Sequence, residues 1–308
     1  MKAVTLTAFG TPPALSNDVP APAPAANEIL VRVHASSVNP VDNAIAAGML
    51  KDMVKHEFPV ILGRDYAGVV DQIGPDVAGY AVGERVYGFL VHANPTVHDG
   101  SWAELITLPE DGPIAPVPAG VELAAAGAAP LVGITAMTAI DALDVSQGDT
   151  VLVVGATGGV GSFAVQLAAR AGATVLAPAL PEDEAYLRHL GVSEVLPRDG
   201  DVGAVVRERH PDGVDAVLDL VSYAPGAFDA ALKSGGRVAS PNGVAGEGLG
   251  RTNVMAVPTR ENLERLGALL ADRRLRVPVQ ATYELAQAPD ALAALGTSHI
   301  RGKLAIRA

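Results

Sequence analysis

The stretch VLVVGATGGVGSFAVQLAARAGATV, residues 151–175, decides the fold. Thr150–Val154 is a continuous apolar run, which predicts a buried strand, and Val160–Ala171 carries its apolar residues on one face of a helix. Ala173–Ala177 predicts a second strand. A strand, a glycine-rich turn, a helix and another strand in this order predict a parallel βαβ unit.

The turn inside this unit has the composition of a dinucleotide-binding loop. Glycine allows a tight turn, lets the backbone approach a pyrophosphate closely and lets the helix pack on the strand. The helix N-terminus adds unpaired N–H groups and a positive dipole. A glycine-rich turn without a ligand is the alternative. The candidate cofactor-binding residues of the turn are Gly155, Thr157, Gly158, Gly159, Val160 and Gly161.

The residues after the second strand bear on the choice of dinucleotide. An NAD-selective site usually carries a carboxylate about 20 residues beyond the glycines. The sequence there is Ala177-Pro178-Ala179, which favours NADP(H) over NAD(H). No Arg or Lys stands at that point to hold a 2′-phosphate, and Arg170 and Arg188 are more typical of exposed helix residues. The choice between NADP and NAD therefore stays open.

The patterns on either side of this unit differ. From about residue 148 strand and helix patterns alternate, including a helix at Gly226–Lys233 and a weak sixth strand at Val254–Val257, which predicts a doubly wound parallel sheet. The first 120 or so residues have only short strand patterns and turn-rich loops. We expect an α/β protein with a β-rich domain formed by residues 1–120 and 278–308 and a dinucleotide-binding domain formed by residues 121–277.

Composition limits the function. The 308 residues include no cysteine, which excludes disulfides, cysteine nucleophiles, iron–sulfur clusters and thiolate zinc sites. A formal net charge of −12 disfavours nucleic acid and anionic membranes as partners. The N-terminus lacks the apolar core of a signal peptide, and no uncharged apolar run is long enough for a membrane helix. A cytoplasmic protein is the expectation.

Motifs along the whole chain carry a family resemblance. They are VNPVDNAIAAG (38–48), PVILGRDYAGVV (59–70), GERVYG (83–88), GSWAELITLP (100–109), AAPLVGITAMTAI (128–140), the glycine turn, VDAVLDLV (214–221), ALKSGGRV (231–238) and RGKLAI (301–306). The chain resembles the zinc-free quinone oxidoreductase (zeta-crystallin-like) branch of the medium-chain dehydrogenase/reductase superfamily. The resemblance implies a GroES-like β-rich substrate domain, a Rossmann domain, NADPH-dependent reduction of a quinone or an activated C=C bond, and a homodimer.

The zinc question is decided by three positions. Zinc alcohol dehydrogenases of this superfamily look to hold their catalytic metal at the places of Asn39, Arg64 and Leu131. Asn and Arg are not usual zinc ligands, and Leu cannot coordinate a metal. None of the seven histidines shows a zinc-ligand spacing; these are His34, His56, His92, His98, His189, His210 and His299. We therefore expect no metal site.

Two residues are the catalytic candidates. Asn39 is expected to donate its amide to the substrate carbonyl or to the nicotinamide ribose, with a role as a turn residue as the alternative. Arg64 is expected to stabilise a developing enolate or quinol anion, with a salt bridge to Asp65 or another carboxylate as the alternative. Asp42 and Asp65 are interpreted as structural. The resemblance supplies these assignments.

The chain departs from its relatives near Asn39. Many relatives carry Tyr and Arg where this sequence has Ala44 and Ala46, so a hydroxyl that would bind substrate is missing. Tyr66 is a possible substitute, although a core tyrosine is the more ordinary role. The loop Val91–Gly100 is expected to help set the substrate.

Further cofactor contacts are expected where strands end and where the family motifs approach the nicotinamide. For Lys303 the alternative is an ordinary lysine at a strand edge. These expected contacts are Thr135, Leu220, Val221, Asn242, Gly243 and Lys303.

Three functions remain open at this point. The first is a reductase of quinones or enones that uses NAD(P)H. The second is an enoyl or alkenal reductase in a biosynthetic pathway. The third is an NADPH-binding protein without turnover, which an intact glycine turn also fits.

Overall fold

The computed structural model describes residues 1–90, 96–97 and 99–308. Of the loop expected to help set the substrate, residues 91–95 and 98 lie outside the described residues, and these include His92 and His98. The described chain divides into two compact units. One contains Met1–Leu131 and Pro258–Ala308, and the other contains Val132–Val257.

Strands provide most of the regular structure. Those of the first unit are β1 (Ala3–Leu6), β2 (Ala14–Ser16), β3 (Glu28–Ser37), β4 (Lys55–His56), β5 (Val60–Ile61), β6 (Asp65–Ile73), β7 (Arg85–Phe89), β8 (Thr96–Val97), β9 (Leu105–Pro109), β10 (Ile114–Pro116), β17 (Val279–Glu284) and β18 (Lys303–Arg307). Those of the second unit are β11 (Thr150–Val154), β12 (Thr174–Ala179), β13 (Glu194–Pro197), β14 (Val214–Asp219), β15 (Leu232–Ser240) and β16 (Arg251–Asn253).

The helices are short and lie between the strands. They are α1 (Pro40–Ala46), α2 (Leu123–Ala126), α3 (Pro130–Ala142), α4 (Gly159–Arg170), α5 (Glu184–Leu190), α6 (Val202–Arg209), α7 (Arg260–Ala271) and α8 (Ala288–Thr297). Among the described residues, no helix has the length and apolar character needed to cross a membrane.

The main sheet of the first unit has the order β10-β7-β6-β3-β18-β17, and β9 also pairs with β3. Alternate residues of β3 point into the core, where Ile29, Val31 and Val33 pack with Tyr66 and Val86. The C-terminal β18 pairs antiparallel with the end of β3 and parallel with β17. The start of β18, the end of β3 and the start of β6 therefore lie together in the interior of this unit.

The sheet of the second unit has the order β13-β12-β11-β14-β15-β16, and all its strands are parallel. Val151, Leu152 and Val153 in β11 are fully buried, as a strand covered on both faces requires. The chain order reverses between β11 and β14, which is the place where a doubly wound sheet opens a crevice for a ligand. The predicted α/β class and Rossmann sheet are confirmed.

Two predicted elements of this sheet are wrong. In place of a helix at Gly226–Lys233 there is a single 3₁₀ turn, Asp229–Ala231, because Gly226 is left-handed (φ 78°) and Leu232 already pairs with Val214 in the sheet. The sixth strand is β16 and not Val254–Val257. An edge strand with polar, partly exposed residues lacks the apolar run on which that prediction depended.

The borders of the compact units also differ from those expected. Residues 121–131 and 258–277 group with the first unit, although the sequence assigned them to the nucleotide-binding domain. The contacts of α7 give the reason. Tyr87 donates a hydrogen bond to the Leu263 carbonyl, and a Cβ on Gly267 would lie 2.8 Å from Pro118 Cγ. Helix α7 is therefore packed against the β-rich unit through a contact that needs glycine.

Candidate functional site

The glycines of the turn between β11 and α4 meet three different requirements. Gly155 is left-handed (φ 89°), and a Cβ there would lie 2.7 Å from Val221 Cγ1. A Cβ on Gly161 would lie 2.1 Å from the Gly155 carbonyl oxygen, so this glycine allows helix and turn to pack closely. A Cβ on Gly158 would meet only the Gly155 oxygen, at 3.7 Å. The backbone at Gly158 is therefore open to a ligand.

The first turn of α4 begins immediately after this open position. Gly158 is the N-cap, and Gly159 and Val160 are the first helical residues. The N–H groups of a first helical turn have no partner within the helix, and the helix dipole places partial positive charge beside them. The turn can therefore hold the pyrophosphate of a dinucleotide. Thr135, in α3, is buried in the same unit.

The ends of β14 and β15 lie beside this turn in the same unit. Leu220 and Val221 are the side chains that a Cβ on Gly155 would contact. Asn242 Nδ2 donates a 3.3 Å hydrogen bond to the Ser222 carbonyl, and Gly243 is left-handed (φ 78°). The structure thus brings the predicted cofactor residues that follow β11, β14 and β15 to one edge of the sheet.

Asp219 lies at that edge and was not predicted from the sequence as a site residue. It closes β14 and is almost fully buried. Its Oδ1 accepts the N–H groups of Val221 and Ser222 at 3.1 and 3.0 Å, and its Oδ2 accepts the Ser222 hydroxyl. The available signal was a carboxylate at the end of the strand, directly after the apolar run 216–218.

The charged residues near β12 offer little to a 2′-phosphate. Arg188 Nε pairs with Glu184 Oε1 at 3.0 Å, and its Nη1 donates to the Ser193 carbonyl at 2.8 Å. Its guanidinium is therefore held along its own helix and the following loop. Arg170 lies in the last turn of α4 and is exposed, as predicted for a surface helix residue.

A second polar site lies in the interior of the β-rich unit. We call it the Asp65 cluster; it consists of Ser37, Asn39, Asp65, Leu131 and Lys303. Asp65 Oδ2 accepts Ser37 Oγ at 2.5 Å and Asn39 Nδ2 at 2.8 Å. Asp65 Oδ1 accepts the Leu131 backbone N–H at 2.8 Å. Lys303 Nζ donates to Asn39 Oδ1 at 2.6 Å and to the Val38 carbonyl at 2.9 Å.

Lys303 occupies an interior position. Strand β18 lies between β3 and β17, so the interpretation of Lys303 as an edge lysine is wrong. Its side chain is 3% exposed, and Nζ lies 3.7 Å from Asp65 Oδ2. Burial lowers the pKa of the Lys303 ammonium, while the charges of Asp65 and Asp42 act in the opposite direction. The structure therefore joins two predicted site residues, Asn39 and Lys303, through direct contact.

Asp42 supports the loop that carries Asn39. Its Oδ2 accepts the Asn39 backbone N–H at 2.8 Å at the start of α1, and its Oδ1 accepts the Gly63 N–H at 3.2 Å. Burial raises the pKa of the Asp42 carboxyl to about 6, although Arg64 opposes this shift. These contacts agree with the structural role expected of Asp42.

Arg64 lines a cavity of about 830 Å³ in the β-rich unit. Its Nη2 donates to the Ile61 carbonyl at 3.1 Å, and its buried Nε has no hydrogen-bond partner among the residues that the structure describes. Burial lowers the pKa of the guanidinium, against the charges of Asp42 and Asp99. The other lining residues include Leu90, Asp99, Pro113, Pro258 and Arg260. The volume suits a small organic substrate.

Tyr66 has the core role that was the more ordinary expectation. It is fully buried, and its hydroxyl donates a 2.8 Å hydrogen bond to the Pro113 carbonyl. Burial raises the pKa of this phenol well above its usual range. Tyr66 therefore supplies no hydroxyl in place of the one that Ala44 and Ala46 leave out.

Two family profiles match separate parts of the chain. A profile described as "Alcohol dehydrogenase GroES-like domain" matches residues 25–119, and one described as "Zinc-binding dehydrogenase" matches residues 190–306. The chloroplast envelope quinone oxidoreductase homolog of Arabidopsis thaliana is 30% identical over 94% of this chain and 92% of its own. The quinone oxidoreductase of Rattus norvegicus is 32% identical over 77% of this chain and 72% of its own.

A solved structure gives the same result for the fold. The quinone oxidoreductase from Coxiella burnetii matches with a TM-score of 0.88 and 31% identity, covering 100% of this chain and 99% of that chain. Similarity of this extent in sequence and in fold confirms the resemblance found in the motifs. The chain belongs to the quinone oxidoreductases of the medium-chain dehydrogenase/reductase superfamily.

Proposed function

We propose that this chain is a zinc-independent, NADPH-dependent reductase that transfers hydride to a quinone or to an activated C=C bond. The observation that carries the proposal is the Asp65 cluster. Asn39 and Leu131, two residues at positions where zinc alcohol dehydrogenases look to hold their metal, both donate hydrogen bonds to Asp65. At these positions the chain has an amide side chain and an apolar side chain where those enzymes need metal ligands.

The side chains present do not fit zinc. An asparagine amide, an arginine guanidinium and a leucine do not form a tetrahedral N/S ligand set. Among the described residues, no group of three or more His, Cys, Asp or Glu is arranged to hold a metal. The profile described as zinc-binding covers residues 190–306, so it does not include Asn39, Arg64 or Leu131. We derive no catalytic step through a metal.

The residues of the chain have separate tasks in this proposal. When bound, the nicotinamide supplies the hydride. The turn at Gly158 and the first turn of α4 bind the pyrophosphate. Asn39 donates an amide N–H to the substrate carbonyl or to the nicotinamide ribose. Arg64 lines a cavity of suitable size and carries an unpartnered Nε–H in the described structure, which suits it to stabilise a developing anion.

The proposal includes a preference for NADP(H) over NAD(H). It is supported by Ala177-Pro178-Ala179 in β12, where an NAD-selective site usually ends in a carboxylate. Glu182 and Asp183 follow closely and would repel a phosphate.

Fluorescence titration with NADPH and NADH, followed by turnover of a panel of small quinones and alkenals, tests the proposal. We expect tighter binding of NADPH and oxidation of NADPH stimulated by quinones. Turnover of alkenals alone would instead support an enoyl or alkenal reductase in a biosynthetic pathway. Tight NADPH binding without turnover of either class would support a non-catalytic binding protein. Ala44 and Ala46 favour this alternative, because they stand where many relatives carry Tyr and Arg.

We retain two further expectations as proposals, a homodimer and a cytoplasmic location. The net charge of −12 supports neither nucleic acid nor an anionic membrane as a partner. Light scattering of the purified chain tests the dimer, and fractionation of cells that produce it tests the location.

A further inference from the structure

The Asn39 side chain is held at both ends by groups of opposite hydrogen-bonding character. Lys303 contacts its Oδ1 at 2.6 Å, and Asp65 contacts its Nδ2 at 2.8 Å. An ammonium group can only donate, and a carboxylate can only accept. The two ends of the amide therefore cannot be exchanged without placing donor against donor and acceptor against acceptor.

This arrangement leaves Asn39 with one hydrogen-bonding function to offer. Its Nδ2 carries two hydrogens, and the Asp65 carboxylate takes one of them. Its oxygen is already engaged by the charged Lys303, which polarises the amide and strengthens the remaining N–H as a donor. Asn39 is fully buried, and its second N–H is the group left for an oxygen of the substrate or of the cofactor.

Asp65 is itself prevented from rotating. The Leu131 N–H binds its Oδ1, and the Ser37 hydroxyl binds its Oδ2. The residue is fully buried at the start of β6. The carboxylate therefore presents one fixed oxygen, Oδ2, to Asn39.

From this geometry we propose that Asp65 is a positioning residue, which holds the Asn39 amide as a donor toward the reacting groups. The inference rests on the reductase function proposed above. It differs from the structural role that the sequence suggested for Asp65. A purely structural residue would affect stability, whereas this one sets the direction of a hydrogen bond that is made during turnover.

The first test is kinetic. Asp65→Asn removes the negative charge that holds Asn39 Nδ2 and replaces one acceptor oxygen with an NH₂ group, which must face a donor in either orientation. The Asn39 amide is therefore held less firmly. We expect kcat to fall roughly 30-fold. The matched control is Ser101→Ala, which removes a buried hydrogen bond to Asp65 and leaves the carboxylate untouched. This control should keep the wild-type kcat.

A double-mutant cycle shows whether Asp65 acts through Asn39. In an Asn39→Ala background the further change Asp65→Asn should alter kcat by less than about 2-fold, because the amide to be positioned is gone. An undiminished loss of kcat in that background, or an unchanged kcat in Asp65→Asn alone, would overturn the proposal. If Asp65→Asn does not fold, Ser37→Ala takes its place, since it removes one bond from the same Oδ2.

A measurement without turnover separates this inference from the proposed function. Hydrogen exchange of the Asn39 side-chain amide, followed by nuclear magnetic resonance, should be slow in the wild type and clearly faster in Asp65→Asn or Ser37→Ala. If the wild type reduces no quinone or alkenal, the proposed function fails, and this exchange rate alone decides whether Asp65 holds the amide. Equal exchange in wild type and variant would refute the holding role.

Discussion

Lys303 Nζ donates a 2.6 Å hydrogen bond to Asn39 Oδ1, although the two residues are 264 positions apart in the chain. The contact exists because β18 pairs with the end of β3, so that Ala305 lies opposite Ser37. The last strand of the chain thus completes a polar site that begins near the first helix. This contact makes Lys303 part of the Asp65 cluster.

Gly158→Val should impair cofactor binding without unfolding the protein. The backbone at Gly158 is open, so a side chain fits the unliganded turn and occupies the approach of the pyrophosphate. We expect the dissociation constant for NADPH to rise by about 100-fold or more, equivalent to roughly 3 kcal/mol. Fluorescence titration measures this, and thermal unfolding serves as the control. Unchanged affinity would disprove the assignment of the turn.

Gly161→Ala should lower the stability of the fold, in contrast to Gly158→Val. The new Cβ would lie 2.1 Å from the Gly155 oxygen and 2.6 Å from Ala156 Cα, so the backbone must move. We expect a loss of about 2–3 kcal/mol in the free energy of unfolding, the upper range for overpacking. Urea denaturation measures this loss of unfolding free energy. A loss no larger than that caused by Gly158→Val would contradict the close packing of helix and turn at Gly161.

Arg64→Met should reduce turnover and spare the cofactor. Removing a guanidinium that stabilises a developing anion is expected to lower kcat/KM for quinones by roughly 100-fold, with NADPH binding unchanged. The control is Arg32→Gln, which breaks the exposed 3.0 Å ion pair with Asp71. Such a surface pair contributes about 0–1 kcal/mol, so the control should behave as wild type. Full activity in Arg64→Met would remove Arg64 from the mechanism.

Asp42 should make stability depend on pH. Burial raises the pKa of its carboxyl to about 6 in the folded protein, above the unfolded value of 3.8. The folded state therefore binds this proton more tightly, and the stabilisation is complete below about pH 4 and lost as the pH rises through 6. Arg64, Asp65 and Lys303 are the charged groups that act on it.

The variant Asp42→Asn isolates this contribution. The free energy of unfolding of the wild type minus that of the variant should become more positive by about 2 kcal/mol between pH 7.5 and pH 4.5. Urea denaturation at both pH values gives this difference. A difference that does not change with pH would mean that Asp42 keeps an ordinary pKa in the folded protein.

Removal of metal should leave the activity unchanged. The purified enzyme treated with a strong chelator is expected to retain its rate of quinone reduction, because Asn39, Arg64 and Leu131 offer no zinc ligand set. A zinc alcohol dehydrogenase treated in the same way is the positive control. Loss of activity that returns on addition of zinc, together with one zinc per chain, would refute the zinc-independent proposal.

Local patterns predicted most of the second unit correctly. The run Thr150–Val154 became β11 with the same limits, and the helix expected at Val160–Ala171 is α4. The predictions failed at Gly226–Lys233 and Val254–Val257, where pairing with neighbouring strands overrides local preference. Local patterns also do not show which compact unit contains α7, because the helix is amphipathic and only its packing partner decides this.

The sequence by itself determined the doubly wound sheet, the glycine turn and the absence of zinc ligands at residues 39, 64 and 131. The sheet and the turn follow from residue type and from spacing along neighbouring positions, which hydrophobic burial and steric limits control directly. The three metal positions follow from the family resemblance. Only the tertiary structure decided that Asp65, Asn39 and Lys303 form one hydrogen-bonded group. Their contact depends on the pairing of β3 with both β6 and β18, and no local pattern records which distant strands will become neighbours.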